Sequence, residues 1–174
     1  ILVEGAAEYI LMRTFIRLVL GHDDSSIEIL SMGGRDYSPF VDLVKNLKVK
    51  MAIFTDNDGN RMDDLNDFND EQEKKGLLIK AFFDPDCIYK TTFEKVEYYE
   101  NKDVIEENQL ISKGASTTKY KRQNPGKEEE ENSTQLAFML NNKSESAIRM
   151  IEYYESKQIK VPRYIEQGLK WLKE

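Results

Sequence analysis

The stretch Met51-Ala-Ile-Phe-Thr-Asp-Asn-Asp-Gly-Asn60 decides the fold of this 174-residue chain. Its apolar, β-favouring first half, Met51 to Thr55, predicts a short buried strand. Asp56 and Asp58 follow that strand, so both carboxylates can face one pocket at the sheet edge where open α/β sheets bind ligands. Two anions this close repel each other unless a cation or a shared proton lies between them. A divalent-metal site is one interpretation, and an ordinary Asp-Asn-Asp-Gly turn is the other.

The composition limits the kind of site that the chain can build. The net charge is −7, and the chain has one cysteine, Cys87, and one histidine, His22. A single cysteine excludes an internal disulfide and fits a reducing compartment, so we expect a cytoplasmic protein. One histidine makes a histidine-based zinc site implausible, so any metal would be held by oxygen, which favours magnesium, manganese or calcium. No apolar run approaches the ~20 residues that span a bilayer.

Two strand-helix units precede the opening stretch. Residues Ile1 to Val3 predict a strand, and apolar residues recur at helical spacing from Ala6 to about Leu20. Residues Ile27 to Leu30 predict a second strand, which is followed by Gly33-Gly34 and by a helix whose buried face runs from Phe40 to Leu47. This order predicts an α/β fold with a parallel sheet and right-handed crossovers. The chain opens inside a strand without an initiator methionine, so we expect a fragment of a longer protein.

Two glutamates flank the start of the first predicted helix. Glu4 ends the first strand and Glu8 lies one helical turn further on, so the two carboxylates can converge on one point. Glu8 alone has a second explanation, because a carboxylate in the first turn interacts favourably with the helix dipole.

The second half predicts one more strand and a set of helices. Residues 60–75 predict a charged loop with a short helix, and Leu77 to Phe83 predicts the fourth strand. A mostly solvated helix starts near Thr92, and Glu94 is explained either by a site role or as a capping-box glutamate with Thr91 as the cap. Residues 112–133 combine glycine, proline and charge and predict a flexible loop. Further predictions cover a short helix at Gln135 to Leu140 and a helix capped by Ser144 with Ala147, Ile148, Ile151 and Tyr154 buried. A last helix is predicted to restart at Lys160 to Tyr164, with Pro162 in its first turn.

One lysine in this half lies at an unexpected position. Lys143 comes just before a predicted helix start, where a cation is unfavourable unless an anion lies close by. A solvated lysine is the alternative.

Three motifs in order resemble the Toprim domain, the metal-binding domain of topoisomerases, bacterial primases, recombination proteins and some nucleases. They are Glu4-Gly5-Ala-Ala-Glu8, Gly33-Gly34 and Asp56-Asn-Asp58, one after each of the first three strands. The version of the first motif that includes Glu8 resembles the nuclease branch of Toprim proteins. That branch comprises the overcoming-lysogenization-defect (OLD) family and its Gabija-type relatives. The second half resembles the same branch at Thr92-Phe-Glu94, Lys143-Ser-Glu-Ser-Ala147 and Val161-Pro-Arg-Tyr-Ile165.

The resemblance implies a Rossmann-like Toprim fold with a C-terminal helical extension, and a DNA endonuclease that cleaves phosphodiester bonds with two metal ions. It implies Mg²⁺ or Mn²⁺ as the cofactors, with Ca²⁺ as a non-productive substitute. The implied catalytic residues are Glu4, Asp56 and Lys143. The implied metal ligands are Glu4, Glu8, Asp56, Asp58, Thr92 and Glu94.

The resemblance also implies partners and a biological setting. In that family an ABC-type ATPase domain precedes the Toprim domain in the same polypeptide. The chain has no Gly-x-x-x-x-Gly-Lys-Ser/Thr motif, so residues 1–174 are predicted to be a single Toprim nuclease domain, with ATP acting only through the absent ATPase domain. The expected partners are DNA, that ATPase domain and further copies of the parent protein in a homo-oligomer. No membrane association is expected. The expected role is in phage defence or DNA processing.

Two rival functions remain open from the sequence. One is a non-catalytic Toprim scaffold that binds DNA or a partner protein. The other is a phosphatase of the haloacid-dehalogenase type, because a strand followed by Asp-x-Asp-Gly-Asn resembles the nucleophile loop of that family. In this case Asp56 would be phosphorylated and Asp58 would act as the acid.

Overall fold

A four-stranded parallel sheet lies at the centre of the computed structural model, which describes residues 1–108 and 133–174. The strand order is β2-β1-β3-β4, with β1 at Leu2–Val3, β2 at Leu30–Ser31, β3 at Met51–Phe54 and β4 at Ile79–Phe82. The described residues form eight helices: α1 Ala6–Leu20, α2 Ser38–Leu47, α3 Met62–Lys74, α4 Phe93–Glu100, α5 Lys102–Asn108, α6 Thr134–Asn141, α7 Lys143–Glu155 and α8 Arg163–Lys173. The predicted Rossmann-like α/β fold with a helical extension is confirmed.

Hydrophobic cores lie on both faces of the sheet, because successive strand residues point to opposite faces. Leu2, Ile53 and Ile79 pack against α2 and α3 on one face. Val3 and Phe54 pack on the other face, against residues of α1, α4 and the C-terminal helices. All four residues of β3 are buried, which explains its uninterrupted apolar sequence.

The C-terminal helical extension packs directly on the sheet. Helix α8 contacts α1, β3 and β4, and α1 also packs along α7. Gly168 of α8 permits the close approach, since a Cβ atom there would lie 2.4 Å from a ring carbon of Phe54. Tyr154 of α7 is fully buried, and its hydroxyl donates to Glu97 at 2.8 Å. The extension is therefore part of the same core as α1.

Two predictions about helices of the central region are wrong. Residues 60–75 contain the 13-residue helix α3, where a loop with a short helix was expected. Its composition is mostly polar because only a narrow stripe around Leu65 and Gln72 is buried. Helix α4, predicted to be mostly solvated, is buried from Phe93 to Tyr98. It packs against α1 and α6, and that contact depends on the tertiary fold.

Smaller differences concern side chains and element ends. Strand β2 covers two residues, Leu30–Ser31, and not Ile27 to Leu30. Leu43 and Leu47 of α2 are exposed, because Val41 and Val44 provide the stripe that faces the sheet. Ile148 of α7 is also exposed.

The other differences concern the start of α7, the predicted loop and the membrane criterion. Helix α7 begins at Lys143 with Asn142 as its N-cap, so Ser144 lies inside the helix. The loop predicted at 112–133 lies outside the described residues, apart from Ser133. No helix within the described ranges is long and apolar enough to cross a membrane.

Candidate metal centre

Four predicted metal ligands meet at the carboxyl edge of the sheet. Glu4 follows β1, Asp56 follows β3, Glu8 lies in the first turn of α1, and Glu94 lies in the first turn of α4. Glu8 and Glu94 are almost completely buried, with 4% and 1% of their surface exposed. Parallel strands end at the same edge, so residues far apart in sequence form one acidic cluster there.

Gly5 makes room for the carboxylate of Glu8. A Cβ atom at position 5 would lie 2.9 Å from Glu8 Oε2, so the glutamate folds back over the glycine. The helix dipole would be satisfied by a solvated carboxylate, so it gives no reason for this burial. The Glu-Gly-x-x-Glu spacing therefore directs a second carboxylate inward.

Asn57 makes the turn that the two aspartates were alternatively expected to make. Its Oδ1 accepts from the Gly59 N–H at 2.8 Å, and its Nδ2 donates to the Asp84 carbonyl oxygen at 2.6 Å. Asp56 instead accepts from the Phe93 N–H at 2.7 Å, which ties its carboxylate to the start of α4. The turn interpretation thus applies to Asn57, and the Asp56 side chain is left facing the cluster.

Thr92, Glu94 and Lys143 complete the cluster from the second half of the chain. Lys143 Nζ lies 2.9 Å from Glu94 Oε2, so the cation at the start of α7 has the nearby anion that its position requires. The N-cap of α4 is Thr92 and not Thr91, so Glu94 does not occupy the capping-box position. The Thr92 hydroxyl makes no cap hydrogen bond and is buried without a hydrogen-bond partner among the described residues. Thr92 directly precedes Phe93, whose N–H donates to Asp56, so its buried, unbonded hydroxyl is a candidate ligand oxygen.

Asp58 is held at the margin of the cluster by two arginines that the sequence predictions missed. Arg35 Nη2 lies 3.0 Å from Asp58 Oδ1, and Arg61 Nη1 lies 3.3 Å from Asp58 Oδ2. Both guanidinium groups also approach Glu4, at 3.7 Å for Arg35 and 3.9 Å for Arg61. Their positions in the sequence could have indicated a role near the acids. Arg35 follows Gly33-Gly34, and Arg61 lies three residues after Asp58.

The acidic cluster has too little compensating positive charge. Burial raises the pKa of Glu8 to about 7, with Glu94 and Glu4 adding to the shift. Burial, followed by repulsion from Glu8 and Glu4, raises the pKa of Asp56 to about 8. Burial opposes the charge of Lys143, but attraction to Glu94 outweighs it and raises the pKa of Lys143. The acids would be relieved by more positive charge at the same place.

The cluster fits a divalent ion by its chemistry, although its side chains are not arranged as a closed coordination shell. Within the described residues, no group of three or more acidic, histidine or cysteine side chains converges closely enough to hold an ion. Glu4 and Asp58 are turned toward arginines, and Glu94 toward Lys143. Carboxylate and hydroxyl oxygens are the donors that Mg²⁺ and Mn²⁺ prefer. The buried hydroxyl of Thr92 adds an oxygen that no group in residues 1–108 and 133–174 uses.

Comparison with protein-family models returned one match, which covers the first three strands of the sheet. The model described as "Overcoming lysogenization defect protein-like, TOPRIM domain" matches residues 1–58. Over this first third of its length, the chain is similar to an OLD-like Toprim domain. The match contains Glu4, Glu8, Gly33-Gly34, Asp56 and Asp58, whereas the elements from α3 onward lie beyond it.

The other two comparisons returned no match, either among curated proteins or among solved structures. The similarity over residues 1–58 indicates a coarse role only, because Toprim domains generally bind Mg²⁺ or Mn²⁺ and act in metal-dependent DNA processing.

Proposed function

We propose that this Toprim domain hydrolyses DNA phosphodiester bonds with two divalent ions, Mg²⁺ or Mn²⁺. The observation that carries the proposal is the under-neutralised cluster of buried acids at the carboxyl edge of the sheet. Burial and mutual repulsion raise the pKa of both Glu8 and Asp56 there. A solvated surface would relieve such repulsion, whereas this fold retains it, as sites that bind cations do.

The proposed ligands are the residues that supply oxygen to the cluster: Glu4, Glu8, Asp56, Asp58, Thr92 and Glu94. Bound ions would clamp the phosphate, activate a water molecule and stabilise the leaving oxygen. The protein positions its own groups for this chemistry. Thr55 Oγ1 donates to Glu4 Oε2 at 2.7 Å and the Asp56 N–H donates to the same oxygen at 3.2 Å, which fixes the orientation of Glu4.

Lys143 has a separate proposed role at the phosphate. Its ammonium group is half-exposed and lies beside the buried Glu94. Attraction to Glu94 raises the pKa of Lys143, so the side chain stays protonated. It would offset the negative charge that develops on the phosphate in the transition state. We further propose that an ATPase domain is part of the same polypeptide and that the parent protein acts in phage defence.

The test combines plasmid cleavage with metal-induced stabilisation. Supercoiled plasmid is incubated with the chain and Mn²⁺ or Mg²⁺, and thermal unfolding is measured with and without Mn²⁺. The Asp56→Asn variant should lose both nicking and stabilisation by Mn²⁺. The same variant should be more stable than the wild type without metal, because it removes a repelling carboxylate and keeps an oxygen for the Phe93 N–H. Asp67→Asn, an exposed change on α3, is the matched control.

The rival functions give different results in these assays. Stabilisation by Mn²⁺ and binding of DNA without nicking would support the scaffold. Aryl phosphatase activity with a phosphorylated Asp56 would support the phosphatase. Nicking that Asp56→Asn leaves unchanged would refute the proposal.

A further inference from the structure

Two arginines share the carboxylate of Asp58 at the mouth of the acidic cluster. Arg35 and Arg61 contact different oxygens of Asp58, at 3.0 and 3.3 Å, and each lies within 4 Å of Glu4. Two monovalent cations thus lie beside two carboxylates that are proposed to bind a divalent ion. Entry of that ion would compete with both guanidinium groups for the same oxygens.

The two arginines differ in how firmly they are held. Arg61 has a side chain that is only 18% exposed and also donates to the Asp56 carbonyl oxygen at 3.3 Å. Arg35 has a 64% exposed side chain, and its polar contacts among the described residues are its two ion pairs. Gly33, two residues before Arg35, has a φ of +64° that suits glycine, and it turns the chain between β2 and α2. Arg35 can therefore leave Asp58 at little cost.

A surface cavity of about 350 Å³ lies between the same two arginines. It is lined by Arg35, Asp36, Tyr37, Ser38 and Arg61. The Asp36 carboxylate accepts from the Ser38 N–H at 3.0 Å, so it is already engaged at the start of α2. The lining residues themselves carry a net positive charge, which Glu4 and Asp58 offset while they remain paired with the two arginines. Guanidinium groups match the oxygens of a phosphate group with paired hydrogen bonds.

We propose that Arg35 and Arg61 form a subsite for a backbone phosphate of a nucleic-acid strand. The pair neutralises Glu4 and Asp58 when the site holds no metal, and Arg35 turns to the phosphate when a metal ion takes over those carboxylates. The inference rests on the proposed nuclease function, because the bound phosphate would belong to the strand that is cleaved. It would lie one or two nucleotides from the cleaved bond. It assigns to the domain a substrate contact outside the acidic cluster.

The first test measures metal binding without catalysis. Titration calorimetry with Mn²⁺ alone should show tighter binding by Arg35→Ala than by the wild type, since the variant lacks a competing cation. The expected gain is roughly two- to fivefold, the range set by an exposed ion pair. Arg35→Lys keeps the charge and should bind Mn²⁺ nearly as the wild type does. Unchanged or weaker binding of Mn²⁺ by Arg35→Ala would overturn the exchange.

The second test measures binding of nucleic acid. Fluorescence anisotropy of a labelled oligonucleotide in Ca²⁺ should show roughly tenfold weaker binding by Arg35→Ala, as expected for the loss of a charged hydrogen bond. The slope of affinity against salt should fall by about one phosphate contact. Arg35→Lys should lie between the two. Wild-type affinity and slope in Arg35→Ala would overturn the subsite.

The matched control and a second ligand complete the experiment. Arg17→Ala removes an exposed guanidinium that pairs with Glu155, far along α1 from Glu8, and should change neither affinity. Titration with inorganic phosphate separates a free anion from a nucleic-acid phosphate. Dependence on Arg35 for inorganic phosphate but not for the oligonucleotide would overturn the nucleic-acid assignment.

The results separate this inference from the proposed function. Opposite shifts in Mn²⁺ and oligonucleotide affinity support the subsite even if no variant ever nicks DNA. Nicking that depends on Asp56, together with oligonucleotide binding that ignores Arg35, keeps the nuclease and overturns the subsite.

Discussion

Replacing Asn57 by alanine should damage both the stability of the chain and its metal site. Asn57 is 1% exposed and lies between the two aspartates of the central motif. Its Nδ2 lies within hydrogen-bond distance of three carbonyl oxygens in the segment after β4, those of Asp84, Asp86 and Lys90, at 2.6, 3.1 and 3.1 Å. The side chain thus joins the Asp56–Asp58 loop to a segment that leads into α4.

The size of the effect follows from counting hydrogens. An amide has two N–H hydrogens, so the three donor contacts amount to two hydrogen bonds, and Oδ1 accepts a third bond from the Gly59 N–H. Each bond contributes about 1 kcal/mol net. Asn57→Ala should therefore lower the free energy of unfolding by about 3 kcal/mol. Asn57→Asp should cost more, because it loses both donors and adds a carboxylate beside the acidic cluster.

Urea unfolding with and without Mn²⁺ measures both consequences, and Asn69 supplies the control. Asn69 donates to the Ala81 carbonyl oxygen at 3.0 Å and accepts from the Ala81 N–H at 2.7 Å, so its amide supports β4 away from the aspartates. Asn69→Ala should cost about 2 kcal/mol and retain full stabilisation by Mn²⁺, whereas Asn57→Ala should lose most of that stabilisation. A cost below about 0.5 kcal/mol for Asn57→Ala, or an Asn57→Asp variant more stable than Asn57→Ala, would refute the reasoning.

Three further predictions test the fold and the electrostatics. Gly168→Ala would place a Cβ atom 2.4 Å from the ring of the phenylalanine that ends β3. Overpacking of about 1–3 kcal/mol should outweigh a helix-propensity gain of about 1 kcal/mol, so the variant should be less stable. Urea unfolding measures the loss of stability, with the exposed change Gln167→Ala as the control. Because burial raises the pKa of Glu8 and Asp56 to about 7 and 8, the native state binds more protons than the unfolded chain above pH ~4. Stability in EDTA should therefore fall from about pH 5 to pH 8, by on the order of several kcal/mol for the coupled pair, and a flat profile would contradict the burial. Lys143→Met should lower the free energy of unfolding of the metal-free chain by about 1 kcal/mol, a small value because the lysine is half-exposed. Added Mn²⁺ should recover most of that loss. An equal loss with and without Mn²⁺ would argue against a site that Lys143 shares with the metal.

The strand-helix order of the first half was predictable because each element there has a simple pattern. The apolar residues of α1 recur at helical spacing from Ala6, and glycine at position 21 takes a φ of 81° where the helix ends. Strand β3 is buried on both faces and reads as one apolar run. Helices α3 and α4 were misjudged for the opposite reason. The first buries a narrow stripe, and the second buries charged residues whose partners lie elsewhere in the chain.

The order of motifs was enough to predict the similarity to an OLD-like Toprim domain that residues 1–58 show, and to select acidic residues that meet at the sheet edge. This was possible because strand ends in a parallel sheet converge, so position after a strand predicts position in space. The assignment of these residues as metal ligands stays a prediction.

Only the tertiary structure decided how the acids are compensated. The interacting groups are 23 or more residues apart in sequence, so no local pattern specifies them. Examples are Lys143 with Glu94, Arg35 with Asp58, and Asn57 with the segment after β4. The same holds for the burial that raises the pKa of Asp56, since desolvation depends on everything packed around the carboxylate. Sequence placed the acidic groups along the chain, and packing determined their charge state and their neighbours.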